Sequence, residues 1–225
     1  TDSGTFMESC FPVLAKPVKG HGGAGIVVLR DISELQKFAD ATPPELKRSY
    51  IVQKFVRGYD IDCSVLSASG AILANTIQKS VEARSRSFAA PGGVEFLYDQ
   101  KVYDVVTKLI ADLRFSGIAH IDLRFDSDDN DFKVIEINPR YWGSLTGSLM
   151  AGVNFPFMAC MSALNESYPV PVYERIRYID FVSFIRGLDK RLIGTSQCKF
   201  HLRETDFRFV FADPIAEIAN AIMRR

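Results

Sequence analysis

The feature that most constrains this chain is a pair of alternating runs around an acidic turn, GIAHIDLRFDSDDNDFKVIEINPRYWGS, residues 117 to 144. The run DSDDND (126–131) is polar and turn-forming, and it predicts a hairpin tip. Folding the chain about residue 129 sets Asp122 opposite Glu136 and His120 opposite Asn138. Strand side chains alternate between faces, so Ala119, Ile121, Leu123, Phe125, Ile135 and Ile137 make one apolar face. His120, Asp122, Arg124, Glu136, Asn138 and Arg140 make the other. A slip of one residue would send the charges into the core, so the register is strongly specified.

This pairing sets two carboxylates side by side. Their β-carbons would be about 4.5–5.5 Å apart. Carboxylates that close repel one another unless a cation lies between them. A hard divalent ion such as Mg²⁺ prefers oxygen ligands, commonly one or two carboxylates together with substrate phosphates. Asp122, Glu136 and Asn138 offer such oxygens, and Arg140 could hold a phosphate nearby. The competing reading is a solvated polar face held by Asp122–Arg124 and Glu136–Arg140 pairs.

Elsewhere the pattern alternates short strands and helices. FPVLAKPV (11–18) and IVVLR (26–30) read as strands joined by the glycine-rich turn GHGGAG (20–25). DISELQKFADAT (31–42) reads as a helix with Ser33 as N-cap and Ile32, Leu35 and Phe38 on one face. YIVQKFV (50–56) is a strand, and DIDCSVL (60–66) with AILANTIQ (71–78) forms a second hairpin. Residues 79–100 read as a long loop. KVYDVVTKLIADL (101–113) is a helix with Val102, Val105, Val106, Leu109 and Leu113 inward. SLTGSLMAG and FPFMACMSAL (155–164) are short helices, and YIDFVSFI (178–185) is a strand. DPIAEIANAIMRR (213–225) is a closing helix capped by Asp213. Strand pairs mixed with helices predict an α+β protein.

Charge and cysteine content narrow the function classes. Lys plus Arg and Asp plus Glu are both 27, so no basic excess argues for nucleic acid. No apolar run has the length of a membrane span, and the N-terminus lacks a signal-peptide layout. Cys10, Cys63, Cys160 and Cys198 form no CxxC pair, which argues against zinc and for a reducing, cytoplasmic setting. Each cysteine reads as a small buried hydrophobe. There is no GxSxG elbow and no HRD or DFG element, so hydrolase-triad and protein-kinase chemistry are disfavoured.

Lys16 stands at a strand end, just before a loop with Gly20, Gly22, Gly23 and Gly25. Glycines let backbone N–H groups approach phosphate oxygens. A Walker A loop needs GK[ST] opening a helix, whereas this loop joins two strands.

Taken in order, these segments resemble the ATP-grasp superfamily, and most nearly its carbamoyl-phosphate-synthase-like ligases of unassigned substrate. The resemblance rests on LAKPVKGHGGAG, QKFVRGYD, EINPRYWGSL and AGVNFP, and covers roughly residues 10 to 165. It implies an ATP-grasp fold in which a small glycine-hairpin lobe packs over a larger antiparallel sheet with helices. The lobes would span residues 1–53 and 54–168, with 169–225 as a C-terminal extension.

Residue by residue, the resemblance implies that Lys16 contacts the α- and β-phosphates of ATP, with Gly22 and Gly23 in the loop that closes over them. Gln53, with backbone groups of Lys54 and Val56, would read the adenine edge from a hinge strand. Asp60 would take the ribose hydroxyls. Asp122, Glu136 and Asn138 would bind Mg²⁺ or Mn²⁺, and Arg140 would steady the transferred phosphoryl group. Arg84 and Arg86 would act near the phosphates and acceptor. Lys79 and His120 are open between a substrate contact and a structural role.

The implied activity is ATP-dependent carboxylate–amine (or carboxylate–thiol) ligation through an acyl-phosphate. The alternative is a degenerate ATP-binding module with a sensing or scaffolding role. Expected partners are small-molecule carboxylates and amines, with neither nucleic acid nor membrane. A homodimer is left open. Members of this superfamily usually carry a further N-terminal domain and an earlier phosphate-binding lysine. The chain is therefore expected to be a fragment that lacks that domain of the same polypeptide.

Overall fold

The computed structural model describes residues 11–20, 23–81, 93–187 and 200–213. The chain divides into two compact units, the first running to Arg57 and the second beginning at Gly58.

In the first unit, β1 (Val13–Pro17) is the middle strand between β2 (Val27–Leu29) and β3 (Tyr50–Lys54), all antiparallel. Val13, Ala15 and Leu29 are buried on one side, where Leu35 and Phe38 of α1 (Ile32–Ala41) and Tyr50 pack against them. Phe38 meets the Tyr50 ring edge-on, with centroids 5.2 Å apart. The expected N-cap at Ser33 is corrected to Asp31. Asp31 has extended backbone angles and its carboxylate accepts the Glu34 N–H at 2.8 Å, which places Ser33 inside the first turn. Ile32, expected on the inner face, is exposed at the start of the helix. A short helix, α2 (Pro44–Lys47), precedes β3.

The second unit is built on a six-stranded antiparallel sheet. Its strands are β4 (Asp60–Ala68), β5 (Ala71–Ser80), β6 (Val94–Leu97), β7 (Gly117–Asp126), β8 (Asp131–Asn138) and β9 (Arg177–Tyr178), in the order β8-β7-β4-β5-β6-β9. The helix α3 (Gln100–Asp112) covers one face, capped by Asp99, whose carboxylate accepts the Val102 N–H. Val102, Val106 and Ile110 of α3 pack on Ile61, Cys63, Val65, Ile77, Ala119, Ile121 and Leu123 of the strands. Ile110 is the inner residue that the sequence pattern passed over. Leu113, expected inward, ends the helix as its C-cap and is exposed.

The other face is partly covered by α4 (Leu145–Met150) and α5 (Phe155–Ala163). Leu66 and Ala74 of the sheet pack with Trp142, Val153, Phe155 and Met158. Val94 and Phe96 pack with Ala151 and Tyr178. A Cβ on Gly147 would lie 2.6 Å from the Tyr178 ring and 2.9 Å from that of Phe96, so close packing of α4 requires a glycine there.

Several expectations are corrected here. The stretch 79–100 contains β6, a four-residue strand too short to stand out, whose partner β5 runs on to Ser80. Of 178–185, only Tyr178 belongs to a strand, and α6 (Phe181–Arg186) follows. Phe181, Val182, Phe184 and Ile185 recur with helical spacing, and the Asp180 carboxylate accepts the Ser183 N–H at 2.9 Å to start the helix. Asp213 ends a helix, α7 (Phe207–Ala212), as its C-cap; the closing helix expected after it lies outside the described residues. Cys63 is buried as expected but Cys160 is exposed, while Cys10 and Cys198 lie outside the described residues. Among the described residues no helix is long and apolar enough to cross a membrane.

Candidate functional site

The hairpin of β7 and β8 pairs Asp122 with Glu136, Ile121 with Ile137 and His120 with Asn138. Toward the tip the register departs from simple folding about residue 129. The strands end at Asp126 and Asp131, which pair across a four-residue turn, so the fold axis there lies between two residues. A bulge between Asp122 and Leu123 absorbs the difference, and Leu123 then faces Val134 while Phe125 faces Phe132. Parity is therefore reversed in the tip half of β8. Phe132 joins the buried cluster, Val134 is exposed, and Ile135 is absent from the cluster among the described residues. Asn130 adopts a left-handed φ of 54° at the turn, and the Asp126 carboxylate accepts the Asp128 N–H.

The neighbouring strands extend the polar face. Asp62 of β4 lies opposite Asp122, and Gln78 of β5 lies opposite Asp62. Gln78, Asp62, Asp122 and Glu136 thus form one row across four strands. Exposure rises along it. Gln78 is buried, the Asp62 side chain is 15% exposed and that of Asp122 37%, and Glu136 is exposed. Ser144 donates to Gln78 Oε1 at 2.6 Å, and Gln78 Nε2 donates to Asp62 Oδ2 at 3.3 Å. The loop after β8 therefore fixes the orientation of the Asp62 carboxylate through one amide.

A second row, Thr76, Ser64, His120 and Asn138, lies beside the first. His120 Nδ1 is 2.8 Å from Ser64 Oγ, while its Nε2 is 3.4 Å from Asp122 and 4.0 Å from Asp62. Asp62, His120 and Asp122 can each aim one ligand atom so that all three lie within 4.8 Å of one another. Trp142 stacks on the imidazole with centroids 5.5 Å apart and meets Phe155 edge-on. Burial, then the positive charge of Arg140, push the His120 pKa down to about 4, against the opposing pull of Glu136. The ring is therefore neutral at neutral pH.

Asn138 Nδ2 donates to Glu136 Oε1 at 2.8 Å, and Arg140 donates to Asn138 Oδ1 and to the Tyr141 carbonyl. Arg124 lies on the same strand as Asp122. It is held by Asp60 on β4 at 2.5 Å and donates to the Gly58 carbonyl. Arg124 and Asp60 thus form a cross-strand pair one step along the sheet from Asp62 and Asp122. Asp60, expected at the ribose, is the anionic partner in that pair. The ammonium of Lys79 lies 3.9 Å above the Tyr59 ring.

The residues fit a hard divalent cation. Three carboxylates in one row repel unless a cation accompanies them, and they present oxygen donors with an amide and an imidazole at the margin.

In the first unit, Lys16 faces Ile51 and Gln53 faces Leu14, so Lys16 and Gln53 share the side of the small sheet away from Val13 and Ala15. Gly23 and Gly25 have positive φ, and a Cβ at Gly25 would come to 3.0 Å from Pro17. Lys54 ends β3, with Val56 just beyond it. Gly22, Arg84 and Arg86 lie outside the described residues.

Sequence reasoning missed Asp62, Gln78, Ser144 and Trp142 as parts of this site. The available signal was the alternation Asp60-x-Asp62 inside an otherwise apolar strand. It could not be read without knowing that β4 lies beside β7.

Residues 5–144 match the family model described as ATP-grasp domain. A carbamoyl-phosphate synthase of Methanobrevibacter smithii is 26% identical, over 58% of this chain and 36% of its own length. The C-terminal section of the Aquifex aeolicus carbamoyl phosphate synthase large chain is 23% identical, over 92% of this chain and 40% of its own length. The chain thus spans two fifths or less of these relatives. The solved structure of a Campylobacter jejuni biotin carboxylase complexed with β-γ-ATP superposes with a TM-score of 0.58 at 18% identity, covering 74% of this chain and 40% of that one.

Proposed function

The chain belongs to the ATP-grasp domain family, and from that premise we propose that it is an ATP-dependent ligase joining a carboxylate to an amine through an acyl-phosphate. The observation that carries the reading is the row Asp62, Asp122 and Glu136 on one sheet face, with Asn138 and Arg140 at its end. A carboxylate is a poor acyl donor because its leaving group would be oxide. Phosphorylation by ATP supplies a better one, and the amine then displaces phosphate. This chemistry needs alignment and charge stabilisation rather than a protein nucleophile.

Asp122, Glu136 and Asn138 would hold Mg²⁺, which when bound neutralises charge on the phosphate oxygens. Asp62 would act beside them, its carboxylate oriented by Gln78. Arg140 would steady the phosphoryl group with its fixed fork of donors. Lys16 and the loop with Gly23 and Gly25 would bind the remaining phosphates, and Gln53 would meet the adenine edge. The neutral His120 would not compete with the cation for the carboxylates.

ADP release from MgATP, measured over a panel of small carboxylates and amines, tests the reading. Glu136→Gln keeps shape and removes charge, so it should lower the rate about 10³-fold, roughly 4 kcal/mol of barrier. Turnover equal to that of the unaltered protein would refute the cation-holding role.

A further inference from the structure

At the far edge of the large sheet, the second unit has an open cleft of about 740 Å³ that the proposed reaction does not use. Its volume lies within the ordinary range of small-molecule sites. Arg175, Arg177, Arg203 and Arg208 line it, against only two carboxylates, Glu95 and Glu204. Arg177 is at β9, Arg203 sits in the 3-10 turn Leu202–Glu204, and Arg208 is on α7. Arg177 lies 3.8 Å from Glu204, and its guanidinium is over the Phe200 ring. Glu204 also accepts the His201 N–H, so this acid is occupied within the protein. Among the described residues Arg175, Arg203 and Arg208 have no ion-pair partner.

We propose that this cleft binds a small molecule bearing a phosphate group. Guanidinium forks match phosphate oxygens in geometry as well as charge. Cations arriving from three separate segments suit a tetrahedral dianion better than a planar carboxylate, which one fork satisfies. The site is separate from the carboxylate row. Between β9 and β4, the carboxylate-bearing strand of that row nearest the cleft, lie β6 and β5, and three strand spacings of ~4.8 Å set β9 and β4 about 14 Å apart.

Titration calorimetry of the full chain with inorganic pyrophosphate, in the absence of nucleotide and Mg²⁺, tests the proposal. The unaltered protein should bind it, more weakly as salt rises, while acetate should not compete. The double variant Arg175→Gln/Arg203→Gln should weaken binding at least tenfold with an unchanged Tm, and Arg208→Gln alone should weaken it severalfold. Lys16→Ala should leave it intact. Absence of binding, or binding unaffected by all three arginine substitutions, would overturn the proposal. So would loss of binding in Lys16→Ala alone, because the anion would then be at the glycine loop.

Discussion

The two faces of the six-stranded sheet are made by the same strands and do opposite work. Toward α3, alternate residues of β4, β5 and β7 are apolar and fully buried. On the other side the intervening residues are Asp62, Gln78, His120 and Asp122, partly roofed by Trp142 and α5. Adjacent residues in sequence therefore live in environments of opposite dielectric. The comparison teaches that stability and chemistry are divided here by residue parity rather than by segment. A hydrophobic face sealed by one helix holds the strands rigid, and that rigidity lets like charges stand together on the reverse.

Moving a charge across the sheet should have the largest effect. Ile121→Asp introduces the same side chain that Asp122 carries, but into the α3 face. It should cost more than about 4 kcal/mol and leave little folded protein by circular dichroism. A folded Ile121→Asp protein would break the comparison. Ile121→Ala only empties space there, and should lower stability in urea by about 3 kcal/mol while the midpoint alone shifts. On the polar face the order reverses. Asp122→Asn should leave unfolding within about 0.5 kcal/mol of the original, yet weaken Mn²⁺ binding, read by electron paramagnetic resonance, at least tenfold. Equal affinity would remove Asp122 from the cation site.

The smallest effect concerns His120. Its imidazole signals in a nuclear magnetic resonance titration should move with a midpoint near 4. The folded form binds this proton more weakly than the unfolded chain. The stability linked to it is therefore whole above the ordinary value of 6.5 and declines as pH falls from there toward 4. A midpoint at 6.5 would mean that the ring is solvated and that the Trp142 roof is open.

How much of this was legible depended on range. The pairing of Asp122 with Glu136 came from a local hairpin, whose alternation and acidic tip fix the register within one turn. The same local view failed at Ile135, because an even-numbered tip shifts the fold axis by half a residue and only a bulge reconciles the two halves. It failed again at 178–185, where a short apolar run carries both periods and the Asp180 cap decides for helix.

The sequence by itself determined the hairpin, the side on which its charges stand, and the α+β alternation, because backbone pleat and side-chain period act over a few residues. Only the tertiary structure decided that β4 lies between β5 and β7. That placement aligns Asp62 and Gln78 with Asp122, and it separates the arginine cleft at β9 from the carboxylate row. Strand order joins residues distant in the chain through burial of a shared apolar face, and that burial is a property of the whole sheet with its helices, which no single segment encodes.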